Sequence, residues 1–357
     1  MRLYRLRFLC GDARRRSLEI GLKFGLQVTS IGNGHDFLAV EGRIVFIFTQ
    51  VDGLSHDTLA EIIFHEGALK SFISKIEMNG IAVCRTSGDG RESVTISCPV
   101  GNLQFTFTQC SDHCCQCLKS PVSEKYIQVD HITVAVDPGT STSVLEWFEK
   151  CLNFKRFRIN SVETDEGLSM FTADTGLNLL ALQYRHCSEV GLQCPLTSED
   201  SCDVKFVIAE PLSGSGPNQV ATFLQQHRGP GVQHIGLLTT NIFKAMDQLR
   251  TTGVDFIQPP TEYYELVSKL QDIESVGESV RGLQTRGILL DTGADAEKNS
   301  SNQRRYLMQS FTKPLFDQDT FFIEIIQRCG ATGFGTGNIK ALWEALALHM
   351  ERISTAV

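Results

Sequence analysis

Residues 129–136 read VDHITVAV, and residues 232–239 read VQHIGLLT. The two stretches share Val-x-His-Ile at an offset of 234 − 131 = 103 residues. Each looks like a strand and is followed by a segment of helical periodicity, at 143–158 or 242–256, and then by further strand candidates. Because such self-similarity marks a repeated folding unit, we predict that the second half of the chain is a duplicated module.

The first half of the chain repeats this order of elements more faintly. Its first copy has strand character at 3–10 and helix character at 17–25, and its second copy has helix character at 61–80. The remaining strand candidates of this half are 35–42, 44–51, 81–86, 93–98 and 103–109. Neither copy begins with Val-x-His, so we predict that this half is a structural scaffold without a metal.

The two halves are predicted to be separate domains. A length of 357 residues favours two domains. Polar residues and Pro121 interrupt the strand pattern over 111–128, which is typical of a domain boundary. We therefore predict an α+β fold with a structural N-terminal domain at 1–118 and a C-terminal domain at 119–357 that holds the functional site. Each domain would be built from a pair of βαβββ modules.

Residues 320–345 read TFFIEIIQRCGATGFGTGNIKALWEA. Their first part looks like a buried strand, in which Glu324 shares a face with Phe322 and Ile326. A buried carboxylate needs a partner, and a metal ion would be one. After a glycine-rich turn, Asn338 is predicted to cap a terminal helix, which we interpret as a lid. Apolar residues recur along one face of this helix at Ile339, Leu342, Trp343, Leu346, Met350 and Ile353.

Two histidines and this glutamate form the candidate metal site. His131 and His234 hold the same position of the repeated strand, so the pseudo-symmetry of the two copies should bring their imidazoles together. Glu324 lies on a strand of the second copy, where sheet curvature could aim it at the same point. Two imidazoles and one carboxylate with free coordination positions suit a non-haem Fe(II) oxygenase. For either histidine taken alone, a satisfied core residue is the alternative.

The motifs VDH, GVQHIGL, QSFTKP, FIEIIQR and GFGTGN occur in this order over about the last two thirds of the chain. They resemble the family of 4-hydroxyphenylpyruvate dioxygenase and 4-hydroxymandelate synthase, which has the vicinal oxygen chelate (glyoxalase/bleomycin-resistance-like) fold. The resemblance implies two vicinal oxygen chelate domains, with His131, His234 and Glu324 as ligands of Fe(II). It also implies an aromatic 2-oxo acid and O2 as substrates, and a homodimer is one expectation for the assembly.

The resemblance further implies a set of contacts to the substrate. The polar positions of the family match Gln219, Gln233, Gln309 and Asn338. The positions that pack against the substrate ring match Phe311 and Phe334, for which ordinary core packing is the alternative.

Four positions depart from the family pattern. Ile339 stands where the dioxygenases have phenylalanine, as in the mandelate synthases, and leaves the substrate ring room to turn its benzylic carbon toward the oxidant. Leu179 and Ala209 replace a serine and an asparagine, so polar contacts worth about 0.5–1.5 kcal/mol each are lost. Trp343 replaces a smaller phenylalanine.

The activity that the resemblance implies is a decarboxylation coupled to a hydroxylation. The substrate would be 4-hydroxyphenylpyruvate or a similar aryl pyruvate, and the product of benzylic hydroxylation would be 4-hydroxymandelate. Homogentisate, formed by attack on the ring, is the alternative product.

Other interpretations of the sequence stay open. The chain could be an iron-free binding or scaffold protein, or a glyoxalase-type isomerase, whose sites usually have a further carboxylate. The run GATGFGTGN at 330–338 lies between a strand and a helix but lacks the GxGxxG spacing of a dinucleotide loop. Cysteines 110, 114, 115 and 117 around His113 lack the paired halves of a zinc site, so free thiols are the alternative.

Composition and charge argue against several classes of protein. A net charge of −8 and a pI of about 5.6 argue against nucleic-acid binding, and no run of about 20 apolar residues would span a bilayer. Twelve cysteines without a signal-peptide pattern fit the reduced thiols of an intracellular protein. The arginine-rich segment 1–23 predicts a mitochondrial location; the alternative is a first strand and helix of the fold in a cytoplasmic protein.

Overall fold

The computed structural model describes residues 1–32, 34–88, 91–109, 126–159, 163–171, 175–184, 205–212, 218–293 and 305–355. The predicted domain boundary between residues 118 and 119 lies outside these residues. The cysteine cluster at 110–117 and most of the polar segment 291–305 also lie outside them.

The first half of the chain forms an eight-stranded sheet with two helices against it. Its elements are β1 (Arg2–Cys10), α1 (Ala13–Phe24), β2 (Gln27–Ile31), β3 (Asp36–Glu41), β4 (Ile44–Gln50), β5 (Thr58–His65), α2 (Leu69–Met78), β6 (Cys84–Gly88), β7 (Arg91–Ser97) and β8 (Gln104–Thr108). The strand order is β2-β3-β4-β1-β5-β8-β7-β6. β1 and β5 pair antiparallel at the centre, and each pairs in parallel with the last strand of its own module, β4 or β8.

The second half forms a nine-stranded sheet on the same plan. Its elements are β9 (Gln128–Ala135), α3 (Ser141–Leu152), β10 (Lys155–Phe157), β11 (Leu168–Phe171), β12 (Gly176–Gln183), β13 (Lys205–Pro211), α4 (Gln219–His227), β14 (Gly231–Leu238), α5 (Ile242–Thr251), α6 (Thr261–Glu265), α7 (Val267–Val276), α8 (Val280–Arg286), β15 (Leu289–Asp291), β16 (Tyr306–Phe311), β17 (Phe322–Cys329) and α9 (Thr336–Thr355). The order is β10-β12-β13-β9-β14-β17-β16-β15, and β11 pairs with β12. β9 and β14 pair antiparallel at the centre, flanked by their parallel partners β13 and β17. The predicted α+β architecture of paired βαβββ modules is confirmed.

One apolar core joins the two sheets. The ring of Phe8 on β1 stacks on Phe48 at 5.1 Å and meets Phe321, which precedes β17, at 5.3 Å. Phe105 on β8 meets Phe148 on α3 at 5.7 Å. Aromatic side chains bury large areas, so these contacts between the halves stabilise their packing against each other.

Several predictions of local structure are wrong. The helix predicted over 61–80 begins only at Leu69, because the apolar run 62–64 is buried in β5 between β1 and β8. The helix predicted over 143–158 ends at Leu152, and the chain then enters the edge strand β10. The sequence patterns also did not predict strand β13 or helices α6–α8.

The arginine-rich N-terminal segment is part of the first domain. Residues 2–24 form β1 and α1, and Leu6, Phe8 and Cys10 of β1 are buried. The alternative interpretation of this segment as a first strand and helix is confirmed, and a mitochondrial location stays a prediction. None of the described helices combines the length and the apolar character needed to cross a bilayer.

Arg16 of α1 links the two halves through a buried guanidinium. Its side chain is 2% exposed, and its Nε donates to Asp57 at 2.7 Å. Its two terminal nitrogens donate to the carbonyl of Leu315 at 2.9 Å and to Asp317 at 3.2 Å.

Replacing Arg16 by leucine should lower the free energy of unfolding by roughly 3 kcal/mol, because the largely buried carboxylate of Asp57 would lose its charged partner and keep the hydrogen bond from the backbone of Gly11. Arg15→Leu is the matched control, since Arg15 makes only an exposed contact to Asp317, and it should change the free energy of unfolding by at most about 0.5 kcal/mol. Urea unfolding of both variants measures the difference. Equal destabilisation by the two variants would contradict this prediction.

Candidate metal centre

Three side chains from neighbouring strands converge on one point of the second sheet. His131 lies on β9, His234 on β14 and Glu324 on β17. Each offers a ligand atom, and these atoms all lie within 4.8 Å of one another. The Nε2 atoms of His131 and His234 are 3.3 Å and 3.7 Å from Oε2 of Glu324. The structure therefore brings the three predicted ligands together.

Two β-bulges aim the histidines. In the pairing of β9 with β14, the register skips Asp130 on one strand and Gln233 on the other. Each bulged residue directly precedes a histidine and lies beside its Nδ1 atom. Nδ1 of His131 is 2.8 Å from Oδ1 of Asp130, and Nδ1 of His234 is 3.2 Å from Oε1 of Gln233. An Nδ1–H that donates to these oxygens leaves Nε2 as the free ligand atom, so both imidazoles present Nε2 to the site.

Gly236 leaves the space that the ring of His131 occupies. It pairs with His131 on one side and with Glu324 on the other. A Cβ atom at position 236 would lie 2.3 Å from Cε1 of His131. Any larger residue here would displace the imidazole from the site.

A buried ion pair holds Asp130. Nε and Nη2 of Arg328 donate to its two oxygens, both at 2.7 Å, and Nζ of Lys205 lies 3.6 Å away. Burial would raise the pKa of Asp130, but the charges of Arg328 and Lys205 and the hydrogen bonds from Arg328 and His131 outweigh it and hold this pKa well below its usual value. Asp130 is therefore ionised and orients His131.

The pKa values of the two histidines shift in opposite directions. Burial lowers the pKa of both. In His131 the charge of Glu324 and the hydrogen bonds to Asp130 and Glu324 outweigh burial, so its pKa is raised. In His234 burial and the neighbouring His131 act together and hold its pKa well below the usual value. His234 is thus neutral and ready to bind a metal at neutral pH, whereas His131 attracts a proton that a metal would displace.

The residues fit a divalent metal ion. Oε1 of Glu324 is buried and has no hydrogen-bond partner among the described residues, which is costly unless a cation binds it. Two imidazoles and one carboxylate are the ligand set of non-haem Fe(II) oxygenases. The side chain of His234 is 13% exposed, against 2% for His131 and 5% for Glu324, so ligands would reach the metal from the side of His234.

The wall beside the ligands is apolar. The centroid of the Phe334 ring lies 5.0 Å from that of the His131 ring. Phe334 belongs to a buried apolar cluster with residues of β11, β12 and β13. Leu179 of β12 pairs in register with Ala209 of β13 in this cluster. Ile339 and Trp343 of α9 pack against it. All four departures from the family pattern therefore meet on one wall.

The remaining predicted contacts lie on α4, β14 and β16. The amide of Gln233 donates to the carbonyl of Gln219 at 3.3 Å. Gln309 on β16 is buried, and its Oε1 has no partner among the described residues. Phe311 pairs in register with Glu324, and its ring lies 6.1 Å from that of Phe322. Contact of these side chains with a substrate stays a prediction.

Asn338 lies inside α9 and is not its N-cap, so that prediction is wrong. Backbone N–H groups of the first turn donate to the carbonyl of Gly335, whose φ of 69° is open to glycine. Oδ1 of Asn338 is 2.7 Å from the hydroxyl of Tyr263 and 3.4 Å from Nζ of Lys269. A lysine ammonium can only donate, so the amide oxygen faces it. The buried Nδ2, which has no partner among the described residues, is then the group available to a ligand.

The predicted apolar face of α9 is only partly correct. Ala341 and Ala345 are buried, whereas Leu346 and Met350 are 49% and 62% exposed. The helix packs on α6 and β15. The face that carries the two alanines is buried, the predicted positions Ile339, Leu342 and Trp343 are half-buried, and Leu346 and Met350 lie at the surface.

The first sheet contains the same two bulges but a different set of side chains. Its register skips Tyr4 on β1 and Ala60 on β5, which makes Arg5, Glu61 and Thr106 the counterparts of the three candidate ligands. Glu61 is bound by Nε of Arg7 at 2.6 Å and by the hydroxyl of Thr106. In the first sheet, the ion pair of Glu61 with Arg7 therefore lies where the second sheet has the candidate metal ligands.

The sequence interpretation missed the residues that support the ligands. Asp130 and Arg328 stand in the motifs VDH and FIEIIQR but were assigned no role, although a charged residue inside an apolar strand is a usable signal. Gly236 stands in GVQHIGL. Lys269, a buried lysine on α7, carries no signal in its own segment.

Comparisons with known proteins agree with this fold and site. A model of the glyoxalase/bleomycin resistance protein/dioxygenase superfamily matches residues 128–269. A solved mutant of 4-hydroxymandelate synthase from Streptomyces coelicolor superposes with a TM-score of 0.74 at 21% identity, over 97% of each chain. The fold is therefore that of the vicinal oxygen chelate proteins, as predicted.

Relatives of known name define the family more closely. The 4-hydroxyphenylpyruvate dioxygenase-like protein of Homo sapiens is 40% identical over 64% of this chain and 57% of its own length, which is less than two thirds. That of Mus musculus is 36% identical over 73% of this chain and 68% of its own length. A 4-hydroxyphenylpyruvate dioxygenase of Tetrahymena thermophila is 31% identical over 74% of this chain and 63% of its own length. The chain belongs to the 4-hydroxyphenylpyruvate dioxygenase family.

Replacing Gly236 by alanine should weaken the binding of Co(II), used as a probe metal, by at least about tenfold, because the new methyl group would push His131 out of place. Gly282→Ala is the control, since a Cβ there meets no atom closer than 3.4 Å, and it should leave the affinity unchanged. Calorimetric titration measures both variants. A G236A protein with wild-type affinity would refute the role of this glycine.

Metal affinity should fall as the pH is lowered, and the fall should begin above the ordinary histidine pKa of about 6.5. The pKa of His131 is raised, so a proton already competes with the metal for Nε2 at pH values below this raised pKa. In Asp130→Asn the fall should begin at a lower pH, because the variant removes a negative charge beside His131. Titrations of Zn(II) at a series of pH values test this, and an affinity that does not change with pH would contradict it.

Proposed function

We propose that this chain is a non-haem Fe(II) dioxygenase that converts 4-hydroxyphenylpyruvate, or a similar aryl pyruvate, and O2 into 4-hydroxymandelate and CO2. The observation that carries the proposal is the convergence of His131 and His234 on Oε2 of Glu324, whose other oxygen, Oε1, is buried without a hydrogen-bond partner among the described residues. The names of the relatives support the substrate class.

The protein would hold the metal on one face and leave the other positions for substrate and O2. Bound Fe(II) supplies the redox chemistry of O2 activation, with electrons from decarboxylation of the oxo acid. The buried charges of Asp130, Glu324, Arg328 and Lys205 cancel, so a divalent ion would leave a net charge of about +2 with neutral histidines. Such a site favours an anionic ligand, and a 2-oxo acid brings one carboxylate.

The apolar wall would position the aromatic ring. Phe334 lies against the histidine side of the site, and Ile339 and Trp343 close the cluster from α9. Leu179 and Ala209 offer no polar atom in their side chains to a ring substituent. Ile339 is branched but smaller than phenylalanine, so the ring can rotate and present the benzylic carbon. This is the reason for preferring benzylic hydroxylation to attack on the ring.

Two other functions remain as competitors. Homogentisate would be the product if the ring were held edge-on toward the metal despite Ile339. A binding protein without catalysis would retain the fold but have no use for Oε1 of Glu324, which has no hydrogen-bond partner among the described residues.

Incubation of the purified protein with Fe(II), ascorbate, O2 and 4-hydroxyphenylpyruvate should give 4-hydroxymandelate as the main product. The two candidate products are isomers of equal mass, so chromatographic retention against standards must identify them. Ile339→Phe should move product toward homogentisate, because the larger ring would restrict rotation of the substrate, and Ile339→Val should leave the product unchanged.

The controls separate the competing functions. His234→Ala should abolish product, because it removes a metal ligand. Homogentisate as the main product of the wild-type protein would refute the proposed regiochemistry. No product from any aryl pyruvate, by a protein shown to contain iron, would favour the binding protein.

A further inference from the structure

We propose that Arg328 is a positioning residue that couples the metal ligand His131 to the loop in front of α9, so that metal binding and the seating of this helix depend on each other. The inference rests on the proposed function only in taking His131 as a metal ligand. It assigns a role to an arginine that neither touches the candidate metal nor lies in the apolar wall.

The first link runs from Arg328 to His131. The guanidinium of Arg328 donates hydrogen bonds to both oxygens of Asp130 at 2.7 Å, and Asp130 accepts a hydrogen bond from Nδ1 of His131 at 2.8 Å. Asp130 and His131 are 3% and 2% exposed, so water does not compete for these bonds. A bidentate pair fixes direction as well as distance, so the arginine determines where the imidazole points.

The second link runs from Arg328 to the loop between β17 and α9. Nη1 donates to the carbonyl of Gly333 at 2.6 Å and to that of Ala331 at 3.2 Å. The guanidinium also lies 5.3 Å from the ring of Phe334 in the same loop. One planar group therefore holds the loop and the carboxylate together.

Phe334 provides a second contact between the loop and His131. Its ring meets the ring of His131 at 5.0 Å, edge to face. The imidazole is thus held at Nδ1 by Asp130 and on its side by Phe334, and Arg328 contacts both of these supports. A shift of the loop would move Phe334 and the guanidinium, and through them His131. The same contacts transmit a shift of His131 to the loop and to the start of α9.

Among the described residues, the other histidine has no such link to the loop. His234 is supported through Gln233, whose amide donates to the carbonyl of Gln219 at the start of α4. These hydrogen bonds are neutral and end at α4, whose Val220 and Phe223 lie in the same apolar cluster as Phe334. Among the described residues, the ion-paired link to the loop before α9 is therefore on the His131 side of the site.

Lysine cannot replace this arginine. Its ammonium is a single point that keeps the positive charge but cannot span two carboxylate oxygens and two carbonyls in one plane. Arg328→Lys thus removes the fork while keeping the charge beside Asp130. The chain offers a closely matched control in Arg286, which pairs with both oxygens of Asp247 at 2.8 Å, donates to the carbonyl of Gly282 and lies 5.6 Å from the ring of Phe243.

The test uses Co(II) added to the metal-free full chain. Calorimetry gives the affinity, and hydrogen exchange followed by mass spectrometry gives the protection of residues 330–338 with and without Co(II). We expect Co(II) to slow exchange of this loop in the wild-type protein. We expect Arg328→Lys to lower the affinity by roughly 10- to 100-fold and to abolish that protection, and Arg286→Lys to behave as wild type.

The outcomes are distinct. If the affinity of Arg328→Lys equals that of wild type, or if Co(II) leaves exchange of the loop unchanged in the wild-type protein, the coupling is wrong. The comparison of loop exchange with and without Co(II) uses only the wild-type protein, so it tests the coupling even if Arg328→Lys does not fold. A wild-type chain that binds no Co(II) would overturn both this inference and the proposed function, whereas binding without protection of the loop overturns this inference alone.

Discussion

The antiparallel pairing of β9 with β14 is the constraint on which the rest of the site depends. It places two histidines that are 103 residues apart in sequence, by 234 − 131 = 103, on adjacent strands with ring centroids 5.5 Å apart. The two bulges in this pairing turn the preceding side chains toward the same rings. Sheet pairing thus fixes both the ligand atoms and their tautomers, because the side chains that bind Nδ1 are part of the same backbone distortion.

Buried charge is the energetic consequence of this arrangement. Glu324 and Asp130 are both largely removed from water, and isolated carboxylates there would be strongly unfavourable. Asp130 is compensated by Arg328 and Lys205, whereas Oε1 of Glu324 has no described partner. The described residues therefore balance one acid internally, whereas the other keeps a buried oxygen to which a cation could bind. This difference distinguishes a supporting acid from a ligand.

The two domains show how one scaffold can serve two purposes. Apart from the additional strand β11, both sheets have the same strand order and the same pair of bulges. In the first sheet, Glu61 is neutralised by Arg7, and Ile63 fills the place of Gly236. Among the described residues of the first sheet, this position therefore has neither the open space nor the unbalanced carboxylate of the second sheet. The first sheet also packs against the second through the shared apolar core.

The sequence by itself determined the repeated modules, the three candidate ligands and the terminal helix, because each is encoded by short-range periodicity or by a polar residue in an apolar strand. It did not determine the strand at 62–64 or the cap of α9, where local propensity was ambiguous. Only the tertiary structure decided that Asp130 meets Arg328, since these residues are 198 positions apart and their contact depends on strand register. It also decided that Leu179, Ala209 and Ile339 share one wall. Such contacts follow from long-range pairing, which no local pattern records.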